Sequence, residues 1–200
     1  MPIMKNAKIE ALHPTQMTHG EREVEKKADE YRHLEGHDLD MAIAEKPVPL
    51  VLGPAGKPYV IDHHHVVAAL RRVSVLEVPV VLVEDMSSLE VSEFWLAMEN
   101  RRWAYPYNER GQRRPFSEMP RHVWHLADDV CRSLAAFARE AGAYEKTSVP
   151  LEDFRWADFF RSMLPLPETD EEFATVLKRA ITLSKSDTAM GMPGYIGKGK

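Results

Sequence analysis

Asp62-His63-His64-His65 places a carboxylate and three imidazoles where an apolar run stops and a helical pattern begins. Tyr59-Val60-Ile61 reads as the end of a strand, and Val66-Val67-Ala68-Ala69-Leu70 as the inner face of a helix. Asp62 is a favourable N-cap residue. The first backbone N–H groups of a helix lack internal partners and carry the positive end of the macrodipole, and such an end attracts phosphate. His63, His64 and His65 can donate hydrogen bonds to that phosphate. His64 and His65 can also move protons near neutral pH, with Asp62 orienting them or helping to hold Mg²⁺. Adjacent helical positions do not share a face, so three consecutive histidines cannot all ligate one ion. A metal centre would need His13, His19 or His37 as well, and no structural zinc is expected. On the plainer reading, Asp62 only caps the helix and the histidines fill polar gaps.

Two further segments carry candidate groups. Pro14-Thr15-Gln16 sets a hydroxyl and an amide just after an early apolar run, where a loop meets a ligand or merely ends an edge strand. Lys27, on a helix face of mixed charge, can turn toward an anion. The stretch from Arg101 to Phe116 holds five arginines against one acid, interleaved with four aromatic residues. Arg101, Arg102, Arg110, Arg113 and Arg114 suit phosphate contacts beside stacked bases, and equally suit pairing with acidic helices. Phe154, Trp156, Phe159 and Phe160 read as core anchors of a helix.

The elements that must position these groups follow from periodicity and turn signals. Ile9 to Leu12 reads as a short strand, Glu21 to Leu34 and Asp38 to Ala44 as helices. Val48 to Leu52 and Tyr59 to Ile61 form a hairpin around Gly53-Pro54-Ala55-Gly56. The helix opened by Asp62 ends near Arg72, and Val78 to Val83 reads as a strand buried on both faces. Beyond Asp85 helices take over. Ser87 and Glu90 have capping-box spacing, as do Thr169 and Glu172. Pro120 to Ala141 carries one apolar stripe and reads as a single long helix, which argues against a helix-turn-helix; another helix covers Leu151 to Leu164. The expected architecture is α/β (α+β): a small mixed-sheet domain over residues 1–88 and a helical region over 89–200 packed on it.

Composition narrows the function classes. With 200 residues, 44% of them hydrophobic, there is chain enough for a sizeable core, and a formal net charge of −5 lacks the basic field of a DNA-coating protein. Cys131 is the single cysteine, which rules out an internal disulfide framework and suits a reducing, cytoplasmic setting. No window is long and apolar enough to span a membrane, and Met1 to Lys8 leads into no signal-peptide core.

The order of strand, Leu12-His13-Pro14-Thr15-Gln16 loop, charged helix, hairpin, and Val60-Ile61-Asp62-His63-His64-His65 opening a helix with Ala68-Ala69-Leu70, followed by Val78-Pro79-Val80, resembles the ParB/sulfiredoxin superfamily. It is most similar to the ParB-like nuclease branch, over residues 9 to 85. The resemblance implies a sulfiredoxin-type mixed sheet and a helix N-terminus that holds nucleotide phosphates. It also implies a phosphotransferase or phosphoester hydrolase (nuclease or nucleotidase) using ATP or ADP, with Mg²⁺. The family site usually reads Asp-Gly-His-His-Arg; here His63 stands for the glycine and Val66 for the arginine, and no cysteine accompanies the motif, so sulfinic-acid reduction is not expected. The expected function is binding of a nucleotide or phosphorylated small molecule at Asp62–His65 for phosphoryl transfer or phosphoester hydrolysis. The alternatives are a partition-type adaptor that binds nucleic acid through the arginine segment without catalysis, and a scaffold without chemistry.

Overall fold

The computed structural model describes residues 4–197. Contacts divide the chain into two units, one formed up to His19 and by Val24–Ala127, the other by Gly20–Glu23 and from Asp128 onward. In chain order the first unit holds β1 (Met4–Lys8), β2 (Thr18–His19), most of α1 (Glu21–Arg32), α2 (Gly36–Ala44), β3 (Val48–Gly53) and β4 (Lys57–Val60). It continues with α3 (His64–Arg72), β5 (Glu77–Asp85) and α4 (Val91–Asn100). The four-stranded mixed sheet runs β1-β5-β3-β4, with β5 antiparallel to β1 and parallel to β3, and β3 antiparallel to β4. The mixed α/β class expected from the sequence is the one found.

The predicted hairpin forms because Ala55 and Gly56 take φ of 60° and 71°, turning β3 into β4. Leu12, Val48, Val60, Leu70 and Val78 are among the residues buried between this sheet and α1 and α3. Two expectations are corrected. The first strand lies earlier, at Met4–Lys8, because the backbone curls at Ile9–Ala11 into a 3-10 turn in which the Leu12 N–H returns to the Ile9 carbonyl. β5 is not buried throughout: among the described residues it pairs with β1 from Glu77 to Val81, and Leu82 and Val83 are 41% and 46% exposed.

Residues 89–127 belong with the α/β unit because α4 sets Phe94 and Met98 against Val51 and Met86. The capping box that opens α4 is Glu90 with Glu93 rather than Ser87 with Glu90, since the Ser87 N–H is turned to the Asp85 carboxylate.

The second unit is helical: α5 (Val130–Glu140), α6 (Glu152–Met163) and α7 (Asp170–Ser184). A single helix from Pro120 to Ala141 does not form. Residues 123–125 make a 3-10 turn, β6 covers Ala127–Asp128, and α5 starts only after Asp129, whose Oδ1 accepts the Cys131 N–H at 3.0 Å. The apolar stripe is divided between two cores, Val123 and Leu126 packing in the first unit and Leu134 in the second, so the sequence argument against a helix-turn-helix loses its premise.

Trp156 and Phe160 are fully buried as anchors of α6, Tyr144 stacks on Trp156 at 4.2 Å, and Thr169 with Glu172 caps α7 as its spacing predicts. Asp129 also takes Arg161 at 2.5 Å, and burial, followed by the Asp129 charge, pushes the Cys131 thiol up to about 12. Among the described residues no helix is long and apolar enough to cross a membrane.

Gly53 is the glycine on which the α/β unit makes its closest demand. A Cβ there would lie 2.6 Å from the Tyr59 ring and 2.9 Å from Phe94. Gly53→Ala should therefore destabilise the protein by about 1–3 kcal/mol through overpacking, seen as a lower midpoint in thermal unfolding followed by tryptophan emission. A midpoint equal to that of wild type would contradict this packing.

Candidate functional site

The loop after Leu12 lies along the outer edge of β4. The His13 N–H donates to the Pro58 carbonyl at 2.9 Å and the Val60 N–H to the His13 carbonyl at 2.8 Å, a parallel bridge that occupies the strand edge. Thr15 then fixes the loop from three sides: its hydroxyl donates to the Val60 carbonyl at 2.7 Å, its N–H donates to His64 Nε2 at 3.1 Å, and its carbonyl accepts the Tyr105 N–H at 2.8 Å. Thr15 and His64 are both buried. Because His64 Nε2 accepts, the neutral ring carries its proton on Nδ1. Gln16 turns its amide to the Thr18 carbonyl at 2.8 Å.

α3 begins one residue later than its sequence suggests. Its N-cap is His63, in the left-handed region with φ of 63°, and the Asp62 carboxylate accepts the His63 N–H at 2.7 Å. A left-handed backbone favours glycine, which accounts for the glycine that the resembled pattern has at this position. Histidine tolerates it better than most residues, and here its Nδ1–H donates to the Pro47 carbonyl at 3.2 Å. Val66, where that pattern has an arginine, is buried in the core. Asp62 is exposed, His63 and His65 are half-buried, and of the motif histidines His64 is the one buried against the Thr15 loop.

Beside this junction a cleft of about 400 Å³ opens, lined by His13, Pro14, Lys57, Tyr59, Trp95, Phe116, Met119, Pro120 and Arg121. Its wall is aromatic. Trp95 and Phe116 stack at 4.4 Å with planes 9° apart, Tyr59 meets Trp95 edge-on at 5.5 Å, and His13 lies 5.3 Å from Tyr59. Its charge is positive. Lys57 and Arg121 are exposed and neither has an ion-pair partner among the described residues. The His13 Nδ1 lies 3.1 Å from the Arg121 carbonyl, which can only accept, so Nδ1 carries the proton and Nε2 the lone pair. Burial first, then the Lys57 charge, hold the His13 imidazole below the ordinary histidine value, against the Arg121 hydrogen bond that works to raise it. A neutral imidazole with a free lone pair beside two cations can take a proton from a nucleophile whose target anion those cations hold.

The other sequence candidates lie apart from this cleft's lining. The Lys27 ammonium sits 2.6 Å from Glu30; burial works against its charge, but the Glu30 hydrogen bond and charge outweigh it. Arg101 pairs with Glu84 at 2.8 Å, Arg113 with Glu99 at 2.6 Å, Arg114 with Glu118 at 2.6 Å and Arg110 with its neighbour Glu109 at 3.7 Å, so four arginines of the basic segment meet acids, while Arg102 has no such partner among the described residues. Among the described residues no three His, Cys, Asp or Glu side chains converge as a metal-binding group. Lys57, Tyr59, Trp95, Phe116 and Arg121 were not singled out from the sequence as one site. They come from a strand, a helix and a loop with no fixed spacing, and the one local signal was His13-Pro14 preceding Thr15.

A family model described as "Putative ParB-like nuclease" matches residues 5–162. Among solved structures, the crystal structure of protein Atu1540 from Agrobacterium tumefaciens is similar at 37% identity and a TM-score of 0.91, over 100% of both chains. No curated protein matches significantly.

His64→Ala would leave the buried Thr15 N–H without its acceptor and open a small void. A loss of about 1–3 kcal/mol from the unsatisfied donor alone is expected, with a further penalty for the void. His65→Ala, at a half-buried position, should cost less. Denaturant unfolding of the two variants checks the order, and equal stability would show that the Thr15 bond does not hold the loop.

Proposed function

From the premise that this chain belongs to the ParB-like nuclease family, we propose that it is a phosphoester hydrolase whose reaction takes place in the His13 cleft. The observation that carries this is the His13 imidazole, its Nδ1 turned to the Arg121 carbonyl and its pKa held below the ordinary histidine value, in a cleft bordered by Lys57 and Arg121, cations without an ion-pair partner among the described residues. The phosphate-holding role expected of Asp62, His63, His64 and His65 passes in this proposal to Lys57 and Arg121. Thr15 and His64 become positioning residues that keep His13 at the cleft. Val66 provides no guanidinium for the older role.

In the proposed step His13 Nε2 removes a proton from water as the water oxygen bonds to phosphorus. The phosphorus–oxygen ester bond breaks, and the leaving alkoxide takes a proton from solvent. Lys57 and Arg121 offset the charge that builds on the non-bridging oxygens. Divalent magnesium prefers carboxylate oxygen, and the cleft lining contains no Asp or Glu. The residues present do not fit that ion, and no step is assigned to it. Four of the five basic-segment arginines are paired, which gives the adaptor alternative no specific support.

The test is turnover of bis(p-nitrophenyl) phosphate and of a labelled oligonucleotide, with and without Mg²⁺. His13→Asn should lower kcat about 100-fold or more while the protein stays folded. A general base must be unprotonated to act, so the rate should rise with pH through the His13 pKa, below the ordinary histidine value, and level off above it. Lys57→Met removes a charge that disfavours imidazolium, so it should move that midpoint upward and raise KM together. Turnover unchanged in His13→Asn, or absent in wild type, would sink the proposal.

A further inference from the structure

We infer that the aromatic wall of the cleft is a subsite for one unpaired nucleobase, so that the ligand is a phosphate-bearing base free of a duplex; this rests on the cleft being the phosphoester site. Three observations point the same way. The rings of Tyr59, Trp95 and Phe116 line the same cleft as Lys57 and Arg121. Aromatic walls that take quaternary ammonium ligands are repelled from that use by neighbouring cations, whereas a wall of rings beside cations matches a planar group carrying phosphate. The cleft, at about 400 Å³, is near the lower end of ligand pockets, room for a single nucleotide unit and not for a double helix. A base inside a duplex has both faces covered by its neighbours, so contact with these rings requires a base already out of the stack. Trp95 is placed for this by α4, whose buried residue Phe94 anchors the helix while Trp95 stays half-exposed at the cleft.

The same chemistry occurs in a free mononucleotide and in a position within a single strand, and the experiment separates them. Binding to the full-length protein is followed by tryptophan quenching and by anisotropy for four probes: AMP, a labelled single-stranded 12-mer, the same 12-mer with abasic sites, and its duplex. The 12-mer should bind and quench, and the abasic strand and duplex should bind more weakly. Binding by AMP alone, with none by the 12-mer, would assign the subsite to free nucleotides and support the base contact. Trp95→Leu should weaken binding of the intact strand about 5- to 100-fold without changing the abasic strand. Phe116→Leu, on the 3-10 turn, should do the same to a smaller degree and serves if Trp95→Leu does not fold. Equal binding of intact and abasic strands, or of strand and duplex, overturns the base subsite, and turnover of bis(p-nitrophenyl) phosphate, which carries no base, then still measures the hydrolase separately. Base-dependent binding with no turnover of any substrate supports the subsite and overturns the hydrolase.

Discussion

The bond from the Thr15 N–H to His64 Nε2, with the Thr15 hydroxyl on the Val60 carbonyl, ties the first loop to both the end of β4 and the start of α3. Thr15 is buried, so each of these polar groups needs a partner inside the protein, and the set leaves the loop one arrangement. Its neighbour His13 is thereby laid along the edge of β4, facing Tyr59 and the Arg121 carbonyl. A strand edge that would otherwise offer open hydrogen-bonding groups is covered by the same loop. The cleft exists because this edge is closed by a segment that brings an imidazole with it.

Charge is distributed unevenly around that framework. Arg101, Arg113 and Arg114 meet acids on the surface, where such pairs contribute little to stability and reduce the local field. Lys57 and Arg121 remain unbalanced beside a half-buried histidine. The consequence is felt at His13, since a nearby cation and partial loss of solvent both disfavour its protonated form. The aromatic wall adds apolar surface on the same side, and Gly53 lets Tyr59 and Phe94 approach the sheet closely enough to build it. Packing and electrostatics therefore converge on one face of the first unit.

The departures from the family motif have local causes that the backbone makes visible. Position 63 is left-handed, a conformation glycine adopts without penalty and most side chains resist. His63 accepts that backbone and gains a hydrogen bond to Pro47. Val66 faces the core, where an arginine could not be left without a partner. The junction keeps its geometry while its side chains serve the fold, and the exposed cations stand at the neighbouring cleft.

By itself the sequence determined the α/β class, the hairpin around Gly53 to Gly56, the helix that follows Asp62, the Thr169 capping box and the core role of Trp156 and Phe160. These depend on contacts a few residues apart, which periodicity, caps and turn residues record directly. The family could also be read, from the order of short motifs. Tertiary structure alone decided that Val123 and Leu134, on one apparent stripe, belong to different cores, because a stripe records which residues avoid water and not which neighbours they meet. It also decided that His64 turns inward to Thr15, and that His13, Lys57, Trp95, Phe116 and Arg121 share a cleft. Those residues lie on a loop, a strand edge, a helix and a distant turn, and no spacing encodes their meeting. What brings them together is the burial of Thr15 and the packing of Tyr59, long-range contacts that form only when the chain has folded.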